Sequence, residues 1–94
     1  MTLEEIAAMM QRGLDQHPQD KSLKFDCGDD GVLTLAQGRA MLVDAPADCT
    51  IRLSKKTLDK VIAGEMNPMT GFALGKIKVS GDMSVALKLS QLLK

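Results

Sequence analysis

Ninety-four residues, 45% apolar and 26% charged, describe a single soluble globular domain, residues 1–94, with material for one modest core. No apolar run approaches the roughly 18 residues of a membrane span, and one histidine with no tryptophan or tyrosine leaves little for metal, nucleophilic or base-stacking chemistry. The net charge of zero divides unevenly: residues 1–48 hold four basic and nine acidic side chains, residues 49–94 eight and three, so the second half suits phosphate or anionic lipid, or simply a solvated face.

Thr2 followed three residues later by Glu5 is a capping box, and Leu3, Ile6, Met10 and Leu14 then recur at helical spacing, so a first helix ends before His17-Pro18. Its opening, MTLEEIAAMM, is acidic and amphipathic where a secretory signal is basic and then continuously apolar, and a cytoplasmic protein is expected. From Ser22 the period changes to two, with Leu23, Phe25 and Cys27 on one face and Lys24 and Asp26 on the other. Gly28 to Gly31 forms a hairpin loop. Val32 to Ala36 and Arg39 to Asp44 follow as strands joined at Gln37-Gly38, an antiparallel meander whose last two strands carry apolar residues on both faces and are expected to be central or covered.

Pro46 breaks the third strand, and Cys49 to Leu53 is a fourth with Thr50 and Arg52 outward. Ser54 caps a helix from Lys55 to Ala63 whose Leu58, Val61 and Ile62 face inward; Gly64 stops it, and Asn67-Pro68 caps a short second helix that ends at Gly75. Ile77 and Val79 alternate with Lys76, Lys78 and Ser80 on a fifth strand, and strand, helices, strand reads as a crossover that makes the fourth and fifth strands parallel neighbours if right-handed. Gly81-Asp82 opens a last helix, Asp82 to Lys94, with only Ser84, Lys88 and Gln91 as a polar stripe. Within that wide apolar arc, Leu87 and Leu89 lie on different sides. The sum is an α+β domain: a five-stranded mixed sheet with helices packed on one face.

Catalysis is not expected. His17 lies in a polar loop far in sequence from Cys27 and Cys49, which are read as two buried reduced thiols, and the pairs Glu4-Glu5 and Asp29-Asp30 sit at a helix start and a turn. No phosphate loop or zinc cluster is present, so no cofactor and no metal are expected. With Phe25 and Phe72 as the sole aromatics, neither is nucleic acid. Seven methionines, among them Met66 and Met69 around the short helix and Met83 on the last, make a soft interior that suits flexible alkyl chains or ordinary gap filling.

The runs ADCTIRLS, AGEMNP, GKIKVSGDM and ALKLSQLL, in that order and spacing, resemble the sterol carrier protein 2 family, closely from Ala47 to Leu93 and only as a generic meander from Leu23 to Asp44. The resemblance implies a non-enzymatic lipid-binding or transfer protein that encloses an apolar pocket between sheet and helices for a fatty acyl, acyl-coenzyme A, sterol-like or isoprenoid molecule. The alternative is an accessory module that shields a lipidic intermediate, such as a quinone precursor, for a partner enzyme. The implied lining is Phe72, Leu74, Ile77, Val79, Met83 and Leu87, with Leu89 packed on the sheet instead; Leu58, Ile62 and Met69 are added. Lys76 and Lys78 are candidates for a headgroup phosphate, and the basic second half for an anionic membrane surface. An empty apolar volume of roughly 300 Å³ would cost about 7 kcal/mol, so such a pocket should be small, collapsible or filled.

Overall fold

A computed structural model describes residues 1–87; the rest of the stretch expected to be helical from Asp82 to Lys94, with Lys88, Leu89 and Gln91, lies outside the described residues. Helix α1 (Leu3–Gln16) begins where Thr2 and Glu5 satisfy each other's backbone: the Glu5 N–H donates to the Thr2 hydroxyl at 3.1 Å and the Thr2 N–H to the Glu5 carboxylate at 2.9 Å. Strands β1 (Leu23–Asp26), β2 (Val32–Ala36) and β3 (Arg39–Met41) form the expected meander, with a single 3₁₀ turn, Gly28–Asp30, between the first two. Gln37 and Gly38 both take positive φ, 54° and 77°, the backbone of a two-residue hairpin whose twist matches its strands. The Gln11 side chain of α1 grips this turn, donating to the Gly38 carbonyl and accepting from the Ala40 N–H, each at 2.8 Å.

Then come β4 (Cys49–Leu53), α2 (Lys55–Ile62), α3 (Pro68–Ala73), β5 (Ile77–Gly81) and α4 (Met83–Leu87). Ser54 caps α2 by accepting the Thr57 N–H at 3.0 Å, Asn67 caps α3 by accepting from Met69 at 2.8 Å, and Asp82 opens α4 by accepting from the Ser84 N–H at 2.9 Å. The strands lie in the order β3-β2-β1-β4-β5, a mixed sheet with helices on one face.

Two expectations about the sheet are corrected. The parallel pair is β1 with β4, whereas β4 and β5 are antiparallel, Leu53 opposite Ile77 and Cys49 opposite Gly81. Helices of eight and six residues, about 12 and 9 Å long, make an out-and-back excursion, so the chain re-enters the sheet at the end where it left. The parallel step instead belongs to the longer path through β2, β3 and residues 42–48. The strand expected from Arg39 to Asp44 ends at Met41 as β3, an edge strand covered by α1, while β2 is central. Beyond it the chain folds behind β2, where the fully buried Thr34 hydroxyl donates to the Val43 carbonyl at 2.6 Å, and Leu42 and Val43 are left exposed.

Register sorts the side chains into two faces. Across the sheet, Leu35, Leu23 and Cys49 make one inward row, Leu33, Phe25, Ile51 and Val79 the next, and Leu53 and Ile77 a third; all are buried except the half-buried Val79. The alternate rows, Thr34-Lys24-Thr50-Ser80 and Val32-Asp26-Arg52-Lys78, carry the charges outward. Ile6, Met10 and Leu14 of α1 complete the core with Leu58 and Val61 of α2 and Val85 of α4.

Cys27 and Cys49 are buried free thiols. Burial, reinforced by the Asp30 and Asp26 charges, pushes the Cys27 thiol up to about 11, and burial raises Cys49. A raised thiol stays protonated in the fold at a pH where the unfolded chain has already lost its proton, so stability is whole below about pH 9 and falls as pH rises towards 11. Urea unfolding across that range should show the decline, and it should be smaller in Cys27→Ser, with the remainder due to Cys49; denaturing, non-reducing thiol titration should count two thiols. Gly81 has φ of 91° and runs so close to β4 that an added Cβ would sit 2.3 Å from the Asp48 carbonyl oxygen. Gly81→Ala should therefore cost more than about 1 kcal/mol, a fall in Tm of at least roughly 4–8 °C for a domain of this size.

Candidate functional site

Over the β4–β5 half of the sheet the helices do not close on each other. A cavity of about 90 Å³ lies between them, floored by Phe25 of β1, Ile51 and Leu53 of β4 and Ile77 and Val79 of β5. Its walls are Leu58 and Val61 from α2, Pro68, Met69 and Phe72 from α3, and Met83, Ala86 and Leu87 from α4. Every lining residue among the described residues is apolar, so none of them can fix a polar group or activate a nucleophile, and what they offer is removal of hydrocarbon from water.

The floor is buried and the outer wall is not. Met69 is 64% exposed, Phe72 45%, Met83 48% and Leu87 66%, large apolar side chains that together rim the opening between α3 and α4. Local sequence sets both banks of that opening. Pro68 at the first position of α3 aims Met69 and Phe72, one helical turn apart, along one side. Asp82 sets the other bank: its carboxylate accepts the Ser84 N–H and hydroxyl, at 2.9 and 2.6 Å, and takes the Lys21 ammonium. Those bonds, the lysine first, hold the Asp82 carboxyl well below the usual carboxylate range. Its backbone N–H donates to the Asp48 carbonyl at 2.8 Å, so α4 starts at a defined point above β4 and β5.

Leu58, Met69, Phe72, Ile77, Val79, Met83 and Leu87 come together around this cavity. The other four candidates are placed elsewhere. Ile62 is one position past the inward pair Leu58 and Val61 and borders a separate groove with Met1 and Lys56. Leu74 caps the end of α3 and is 64% exposed outside the lining. Lys76 and Lys78 alternate with Ile77 and Val79, which turn into the cavity, so the two lysines stand on the opposite side of β5 and border a shallow groove with Asp26 and Arg52. A headgroup at the cavity mouth therefore does not meet them. The lining residues that sequence did not single out are Phe25, Ile51, Leu53, Val61, Pro68 and Ala86. Phase marks the first three as inward, but strand order alone puts them beneath α3 and α4.

Comparison with known proteins follows this geometry. A model described as the SCP-2 sterol transfer family matches residues 3–94. Sterol carrier protein 2 of Gallus gallus is 47% identical over 49 residues, 52% of this chain and 9% of that protein, so the chain spans about a tenth of the curated relatives it matches. The solution structure of sterol carrier protein-2 from Aedes aegypti in complex with palmitate is similar with a TM-score of 0.82 and 14% identity, over 99% of this chain and 94% of that one. A structure named UbiJ-SCP2 ubiquinone synthesis protein has a TM-score of 0.70 and 18% identity, over 96% and 90% of the two chains. At these identities the structures establish a shared fold.

Position in the wall predicts unequal consequences of truncation. Leu58 is buried at the base of the cavity, and Leu58→Ala should cost about 2–5 kcal/mol, whereas Leu87, standing at the rim, should cost less than about 1 kcal/mol as alanine. Urea titrations of both variants check the difference; equal costs would place Leu87 in the core.

Proposed function

The chain belongs to the SCP-2 sterol transfer family, and we propose that it is a non-catalytic carrier that shelters one flexible aliphatic chain, of a fatty acyl lipid first of all, between β4, β5 and helices α2 to α4. The observation that carries this reading is a cavity whose lining among the described residues is wholly apolar and which opens through an apolar rim. The palmitate complex of the similar Aedes aegypti protein supports a fatty acyl chain as the first ligand to try.

The mechanism is burial. Each methylene taken from water contributes about 0.8 kcal/mol, so a dozen give roughly 10 kcal/mol before ordering losses, enough for micromolar affinity or better. A cavity of 90 Å³ is smaller than such a chain, and at the cost seen in core truncations its vacancy is worth only about 2 kcal/mol. Binding therefore widens it. The side chains best able to yield are Met69 and Met83, which are unbranched, and Leu87, all about half or more in solvent.

A second reading, supported by the likeness to the ubiquinone synthesis protein, is that the same cavity shields a lipidic quinone precursor for a partner enzyme. The chemical identity of the bound molecule separates the two. Denaturing extraction and mass spectrometry of the purified protein should release fatty acyl lipid under the first reading and a prenylated aromatic under the second. A fluorescent fatty acid should bind at micromolar concentration or below, and Phe72→Asp, a change at a half-exposed wall position, should weaken it at least about tenfold without unfolding the protein. A clean, folded protein that leaves the probe unchanged would overturn the carrier reading.

A further inference from the structure

The two edges of the sheet are finished differently. On β3 the Ala40 N–H that faces away from β2 is taken by the Gln11 side chain at 2.8 Å, which closes that edge with α1. On β5 no strand lies beyond Ile77–Gly81 among the described residues. The backbone there has a definite phase. The register puts Asp48 opposite Asp82, and the Asp82 N–H donates to the Asp48 carbonyl at 2.8 Å, so in the alternation of an antiparallel ladder Ser80 and Lys78 also turn their N–H and C=O groups towards β4. Ile77 and Val79 turn theirs to the open edge. Such an edge is a template for another strand, and lysine is a common guard against unwanted pairing. Lys76 and Lys78 stand at this one. They border a groove with Arg52 in which Asp26, 3.7 Å from Arg52, is the single carboxylate, and neither lysine forms an ion pair among the described residues.

Such a guard is selective. A second copy of β5 along the edge would bring a second set of Lys76, Lys78 and Arg52 to the same seam, like charge against like. A strand with acidic side chains at alternate positions would instead meet Lys78 directly and Lys76 on the diagonal, opposite charge against opposite. Its intervening side chains would point to the other face, beside Ile77 and Val79 on the side that α3 covers, where Met69 and Phe72 leave 64% and 45% of their surface in solvent. We propose that β5 receives a sixth strand from a partner protein, an extended segment of alternating acidic and apolar residues held by the Ile77 and Val79 backbone and by Lys76 and Lys78. The site goes beyond the carrier reading and does not rest on it: the cavity takes hydrocarbon, the edge takes a peptide, and their polar contacts lie on different groups.

Labelled, capped peptides of about eight residues test the site by fluorescence anisotropy against the full chain: valine alternating with glutamate, with threonine or with lysine, and the glutamate peptide interrupted by a central proline. The glutamate peptide should bind at least about tenfold more tightly than the threonine and proline peptides. Amide exchange followed by NMR reads the backbone. The Val79 N–H should exchange readily in the protein alone and at least about tenfold more slowly with the glutamate peptide bound, while that of Ser80, already turned to β4, should change little. Lys76→Glu with Lys78→Glu should weaken the glutamate peptide at least about tenfold, favour the lysine peptide, and keep the Kd of a fluorescent fatty acid within about twofold, since neither side chain lines the cavity. Failure to bind the glutamate peptide, equal binding of the proline peptide, or binding that leaves Val79 exchange unchanged would overturn the strand site. Val79 protection that appears without peptide and grows with protein concentration would also overturn it and give the edge to a second copy. A protein that passes these tests but binds no fatty acid would leave the strand site standing and defeat the carrier reading alone.

Discussion

Everything about this molecule depends on the pairing of β1 with β4. It is the one parallel contact in the sheet, it joins the meander of the first half to the helical second half, and its register places Phe25 beside Ile51 and Lys24 beside Thr50. Because side chains alternate with a period of two, a slip of one residue would turn Ile51 outward and Arg52 into the core. The slip is opposed at the start of the pair, where the Ser22 N–H donates to the Asp48 carboxylate and the Asp48 N–H to the Ser22 hydroxyl, each at 2.8 Å. The same short segment receives the Asp82 N–H on the Asp48 carbonyl and passes closest to Gly81. One exposed polar clamp thus aligns the sheet and also places the start of α4.

That alignment explains why the cavity lies where it does. On the β1–β3 side, α1 lies against the sheet with Ile6 and Met10 fully buried, and Gln11 fastens it to the β2–β3 turn. On the β4–β5 side the cover is the two short helices α2 and α3 and the start of α4, and the gap lies between them. Gly71 brings α3 close to β5: a Cβ there would meet the Ile77 side chain at 2.6 Å, so α3 is pulled onto the strand at its middle while Met69 and Phe72 fan outward. A vacancy worth about 2 kcal/mol is tolerable in a domain with a stability on the order of 5–10 kcal/mol; one three times larger would not be. Stability therefore favours a small resting cavity bordered by side chains that can swing away, which is the form observed.

The charge asymmetry of the chain has a spatial counterpart. The acidic first half contributes partners to the basic second half across the outer face, Asp26 to Arg52 and, through Asp44, a partner for Lys24 of its own half. Exposed pairs of this kind add little to stability. Their effect is on what remains: among the described residues, the lysines of that face without an ion pair, Lys76 and Lys78, stand at the β5 edge.

Much of this was legible in the sequence because it is local. The capping box at Thr2, the caps at Ser54, Asn67 and Asp82 and the period-two alternation from Leu23 and from Ile77 are decided by neighbours within four residues, and the elements form where those signals place them. Alternation by itself also separates Lys76 and Lys78 from Ile77 and Val79; what it does not say is which face holds the cavity. That question, like the antiparallel β4–β5 pair, the edge position of β3 and the contribution of Phe25, Ile51 and Leu53 to the floor, depends on strand order and on where the helical excursion returns the chain. Those are contacts between residues up to several dozen positions apart, and their free energy is a property of the packed sheet that no local pattern carries. Sequence by itself determined the elements and their inward faces; the tertiary structure decided which of those faces meet, and so which apolar residues line a cavity and which are merely core.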